Sequence, residues 1–134
     1  MYAGIRLDVT DSALAEPALR SLRHTITKGL RAGLALGSQL SVRTRHGQTI
    51  DVRWRMPLRA GRSLLVNVKI ELLLEDREGA LYVIPSVSDH AHVEGAGSDA
   101  TRWAPTGTTA RSEWRKFTAR IEQVVGEIFN GEGR

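Results

Sequence analysis

Cysteine is absent from this 134-residue chain, which removes a disulfide-stapled scaffold, a thiolate zinc site and a cysteine nucleophile at once. Aromatic residues make up only 5% of it, so rings on which nucleic-acid bases would stack are scarce. No stretch approaches the roughly 20 apolar residues that a membrane helix requires. Met1 to Thr10 carries Arg6 and Asp8 among its apolar residues, unlike a secretory leader. These absences predict a cytoplasmic location and no membrane contact. Lysine is rare as well: Lys28, Lys69 and Lys116 are the only lysines among 19 basic residues, the rest being arginine. The net charge is +4, yet 15 acidic residues are interspersed, so the chain lacks the single-sign field of a dedicated nucleic-acid coat.

A hydrophobic content of 41% is enough to close one core in a chain of this length, and residues 1–134 are expected to form a single α+β domain. Ile5, Leu7 and Val9 alternate with Arg6, Asp8 and Thr10, the two-residue period of a half-buried strand. Asp11 and Ser12 offer helix caps. From about Ala13 to Leu36, Leu19, Leu22, Ile26, Leu30, Gly33 and Leu34 recur at helical spacing, leaving Arg20, Arg23, Lys28 and Arg31 outward. Pro17 fits only in the first turn. Gly29, Gly33 and Gly37 along this helix read as close packing against a sheet. Gly37 stops the helix, and the period then returns to two for about fifty residues.

The turns allow register to be worked out across that stretch. A three-residue loop at Arg45, His46 and Gly47, with Gly47 left-handed, sets Val42 opposite Ile50 and Leu40 opposite Val52. A five-residue loop from Arg59 to Ser63 sets Trp54 opposite Val68. A four-residue loop from Asp76 to Gly79 sets Leu74 opposite Leu81 and Leu72 opposite Val83. All three turns place Leu40, Val42, Ile50, Val52, Trp54, Met56, Val66, Val68, Ile70, Leu72 and Leu74 on one face, as a meander sheet requires. Asp89 to Gly107 is either a long loop or hides a short extra strand. From Thr108 or Thr109 to about Asn130, a second amphipathic helix buries Trp114, Phe117, Ile121, Val124, Val125 and Ile128. The expected order is β-α-β-β-β-β-α, an antiparallel sheet with both helices on one face. That order resembles half of the TATA-binding protein and, more loosely, the helix-grip lipid and hormone binders. No motif of either family is present, so the resemblance implies a fold and no activity.

If both helices cover the apolar face, the other face meets water or a partner. The predicted register sets Arg55 opposite Asn67 and Arg53 opposite Lys69, the latter a like-charge repulsion of about 0.2 to 1 kcal/mol that a bound anion would relieve. Arg43, Arg53, Arg55, Asn67, Lys69 and Ser88, with His90 if the last strand continues, form a donor-rich patch for phosphate or carboxylate groups. The competing account is a solvated face on which Arg53 bridges to Glu71 and Lys69 to Asp51. Further along, Leu73 is set opposite Tyr82 with Ile84 nearby. Leu65 and Trp103 complete the apolar candidates for an interface, unless a loop from Ala96 to Pro105 folds over them.

His90, His92 and Glu94 would project to one side of a strand as metal ligands, but no distant fourth ligand is identifiable and no metal site or cofactor is assigned. Asp51 and Glu71, read as directly opposed carboxylates, would serve acid or base work only if Arg53 and Lys69 did not keep them ionised. No serine elbow or phosphate-binding glycine fingerprint occurs, and no residue is assigned a catalytic role. The sequence therefore points to a non-enzymatic module that binds a protein partner or itself through the exposed sheet face. Its first alternative is a nucleic-acid binder using the basic patch. The second is a helix-grip ligand binder or enzyme with a pocket among Trp54, Met56, Trp114 and Phe117.

Overall fold

A computed structural model describes residues 2–34, 40–45, 48–95, 102–103 and 108–131. In chain order the elements are β1 (Ile5–Arg6), α1 (Glu16–Leu34), β2 (Leu40–Arg45), β3 (Thr49–Pro57), β4 (Ser63–Arg77), β5 (Ala80–Glu94), β6 (Arg102–Trp103) and α2 (Thr108–Phe129). All strand pairings are antiparallel. The sheet runs β1-β5-β4-β3-β2, and β6 adds to the free edge of β5 at Val93 and Glu94. Both helices pack on one face, which makes this the α+β arrangement anticipated from the element order.

The core follows from alternation along the strands and from one stripe of each helix. Ile50 and Val52 of β3, and Leu64, Val66, Val68, Ile70 and Leu72 of β4, are essentially inaccessible, as are Leu19, Ile26, Leu30 and Leu34 of α1. From α2, Phe117, Ile121, Val125 and Phe129 close the layer. None of the helices described is long and apolar enough to cross a membrane.

All three hairpins keep the predicted face and slide by two residues. Val42 pairs with Val52 rather than Ile50, Trp54 with Val66 rather than Val68, and Leu74 with Val83 rather than Leu81. A slip of two leaves every side chain on its side of the sheet, whereas a slip of one would have moved the whole apolar set into solvent. The β4–β5 slip has a visible local cause. Glu78 and Gly79 both adopt positive φ, 52° and 81°, so the turn contains two residues instead of four. Such a turn matches the twist of the flanking strands. Asp76 Oδ1 supports it by accepting from the Gly79 N–H at 3.2 Å. At the β3–β4 turn the loop is Leu58–Arg62, with Leu58 N–H donating to Arg62 O at 2.7 Å. His46 and Gly47, expected in the first turn, lie outside the described residues.

Other expectations are corrected. The first strand ends at Arg6, although Leu7 N–H still donates to Leu81 O. Arg23 is buried rather than outward, at 9% exposure, within the stripe of Leu19, Ile26 and Leu30. Its guanidinium donates to Glu16 Oε1 at 2.7 Å. A long side chain on a helix leans toward the N-terminus, which lets its stem pack while the charge reaches Glu16 two turns earlier. Gly29 and Gly33 face the other helix rather than the sheet. A Cβ on Gly33 would lie 3.0 Å from Val124 Cγ2, and one on Gly29 3.3 Å from Val124 Cγ1. Gly37 is outside the described residues. Asp89–Glu94 continues β5 as far as Glu94, and β6 supplies the short extra strand.

Candidate interaction face

The face opposite the helices carries side chains in rows set by the observed register. Arg55, Leu65 and His92 form one row, Ser41, Arg53, Asn67 and His90 the next, then Arg43, Asp51, Lys69 and Ser88, then Thr49, Glu71 and Ser86. The donor-rich patch expected from the sequence is therefore assembled on one face, but its neighbours differ. Arg53 sits opposite Asn67, not Lys69, and Arg55 opposite Leu65, not Asn67. Asp51 is paired across with Lys69, and Glu71 with Thr49, so the two carboxylates are not opposed. The two-residue slip interleaves opposite charges where the predicted register stacked like ones. With it the repulsion that a bound anion was to relieve disappears.

Asp51 is the centre of this arrangement. It is only 3% exposed although no described element covers this face, and Arg53 Nη2 lies 3.2 Å from its Oδ2. Its cross-strand neighbours are Arg43 and Lys69. A short carboxylate ringed by long side chains is shielded by their apolar stems while their charged heads stay in water. Arg53 itself is 57% exposed, and no ion pair to Arg43 or Lys69 occurs among the described residues.

At the next rows, Arg55 Nη2 is 3.8 Å from Glu94 Oε2, and His92 Nε2 is 3.8 Å from Glu94 Oε1. The His90 and His92 rings lie roughly parallel with centroids 6.4 Å apart. His90, His92 and Glu94 thus share a face as expected. Among the described residues, however, no three His, Asp or Glu side chains are grouped so as to hold a metal ion. Among the described residues, Asn67 Oδ1 and His92 Nε2 are both buried without a hydrogen-bond partner.

The apolar candidates separate into two places. Leu73, 47% exposed, pairs with Ile84 rather than Tyr82. Tyr82 lies opposite Glu75, and Arg77 Cζ stands 5.3 Å from the centre of its ring. Arg77 Nε donates to Glu75 Oε1 at 2.9 Å, and this bond holds the Glu75 carboxyl below the usual carboxylate range. Leu65 is at the opposite end, between Arg55 and His92. Trp103 pairs through its backbone with Val93, roughly 30 Å along β5 from Ile84, and its side chain lies outside the described residues. Ala96 to Pro105, expected as a cover for the apolar patch, falls outside them except for Arg102 and Trp103.

On the inner face, the Trp54 and Phe117 rings stack 4.7 Å apart, with Phe117 2% exposed. Asp89 accepts from Trp114 Nε1 at 2.6 Å and from the Thr118 hydroxyl at 3.2 Å, tying α2 to β5. The aromatic residues considered as pocket lining are thus engaged with each other and with the sheet. Sequence reasoning missed the Asp89 link. Its signal was present: Asp89 shares parity with Val87 and Val93, and Trp114 and Thr118 stand one helical turn apart.

An antiparallel sheet with strand order β1-β5-β4-β3-β2 and two helices on one face defines a helix-grip-like fold, shared in outline with half of the TATA-binding protein. No protein-family model, curated protein or solved structure matches the chain.

Proposed function

We propose that the protein is a non-enzymatic binding module that engages a protein partner, or a second copy of itself, through the outer face of the sheet. The observation that carries this is the one-sided placement of the helices. It leaves Leu73, 47% exposed, and half-buried Ile84 on a face that no described element covers, with the row of Thr49, Glu71 and Ser86 between them and the arginine-bearing rows. Exposed apolar side chains bordered by polar ones are the usual composition of a contact surface.

Native mass spectrometry of protein purified gently at low salt tests this, comparing wild type with Leu73→Asp and Tyr82→Asp. The expected result is a defined complex, with a partner or a second copy, that both substitutions dissociate while thermal melting stays unchanged. A complex that survives both substitutions places the contact elsewhere.

A further inference from the structure

Resting on that reading of the outer face, we infer that its occupant is an extended protein segment with a short acidic cluster followed, about four to six residues on, by an apolar side chain. The acidic cluster meets Arg43, Arg53 and Lys69, and the apolar residue meets Leu73 and Ile84. Four cations, Arg43, Arg53, Arg55 and Lys69, share the first rows with only Asp51 and Glu94 to offset them. Asp51 is buried beneath its neighbours, so the charge presented to a partner is positive. Ser88 and His90, both exposed in the same rows, add further donors suited to carboxylate oxygens.

The character of the face changes along β4. Glu71 and Glu75 follow Lys69, and Leu73 stands between them. A long polyanion laid along the strands would meet these carboxylates, whereas a short acidic cluster stops before them. The ring of Tyr82, the only Phe, Tyr or Trp side chain on this face among the described residues, lies against the Arg77 guanidinium, which occupies one surface on which a base would stack. Charge complementarity and the interruption of the basic rows by Glu71 and Glu75 therefore favour a protein segment over nucleic acid. The spacing follows from strand geometry: from Asn67 to Leu73 is roughly 20 Å at about 3.3 Å per residue, and an extended partner covers it in about six residues.

The test is selection of random 16-residue peptides displayed on phage against the full chain, followed by affinity measurement of the enriched peptides. The expected peptides carry two or more acidic residues and an apolar residue four to six positions away. Arg43→Gln with Lys69→Gln, which leaves the Arg53–Asp51 pair in place, should weaken them about tenfold or more, as should Leu73→Asp separately. Peptides that need Leu73 but carry no acidic residues would overturn this inference and leave the proposed outer-face contact standing. Binding indifferent to both sets of substitutions would overturn both. If no peptide is enriched and the chain self-associates until Leu73→Asp, the occupant is a second copy. A single-stranded oligonucleotide bound more tightly than any peptide, with affinity falling steeply as salt rises, would make the partner nucleic acid instead.

Discussion

Along β4, Leu64, Val66, Val68, Ile70 and Leu72 are buried, while Leu65, Asn67, Lys69, Glu71 and Leu73, interleaved with them, range from half-buried to exposed. The two faces share a backbone and a set of hydrogen bonds, so their differences come from side chains alone. On the inner face any apolar residue of about the right volume satisfies the requirement, because the hydrophobic effect is non-directional. On the outer face the identity of each cross-strand neighbour matters, because charges act between particular pairs. A two-residue slip therefore leaves the inner face intact and rewrites the outer one.

Substitutions can break or sharpen this contrast. Phe117→Ala removes a ring that is 2% exposed and stacked on Trp54, and should cost about 3 to 5 kcal/mol in urea denaturation. Ile70→Ala on the inner face should cost roughly 2 to 5 kcal/mol. Leu73→Ala, three residues further along the same strand, should change stability by about 0.5 kcal/mol or less. Equal losses for Ile70 and Leu73 would mean that the outer face is covered. Asp51→Ala should lower stability by roughly 1 to 3 kcal/mol, because the one deeply buried side chain of the basic rows would be lost and its cationic neighbours left without it. A neutral result would show that the carboxylate organises nothing.

Gly33→Ala sets the helix propensity of alanine, worth about 1 kcal/mol, against a Cβ crowding Val124 at 3.0 Å. The crowding should win by a small margin, and a rise in melting temperature would show that α1 moves away from α2 easily. The smallest effect expected is at acid pH. Glu16 and Glu75 are both held below the usual carboxylate range, first of all by hydrogen bonds from Arg23 and Arg77. Groups depressed on folding stabilise the protein above their unfolded pKa, and the contribution is lost as pH falls through the folded one. Glu16→Gln with Glu75→Gln should therefore flatten the acid limb of a stability–pH curve, while wild type loses stability as these carboxylates protonate.

Much of the fold was legible in sequence because burial imposes a period. The second helix boundary at Thr108, the four long strands and the shared apolar face all follow from spacing that one side of each element must satisfy, while the first helix, expected from about Ala13 to Leu36, spans Glu16–Leu34. Arg23 was misread for a related reason. Its position lies on the apolar stripe, but its charge argued for solvent, and only a partner two turns away reconciles the two. The separation of Trp103 from Leu73 was hidden because it depends on how far β5 runs past Asp89, whereas Leu65 and Leu73 lie on one strand and their spacing is plain in the sequence.

By itself the sequence determined which residues of the long strands face inward, since apolar alternation fixes register modulo two and an odd slip would expose the core. Tertiary structure decided which even register was adopted, through the two-residue turn at Glu78 and Gly79 and the placement of the other loops. It thereby decided that Asp51 sits among Arg43, Arg53 and Lys69 rather than against Glu71. The physical reason is range: burial sums over a whole face and tolerates exchange of neighbours, whereas electrostatic pairing depends on contacts that exist only once the strands have settled.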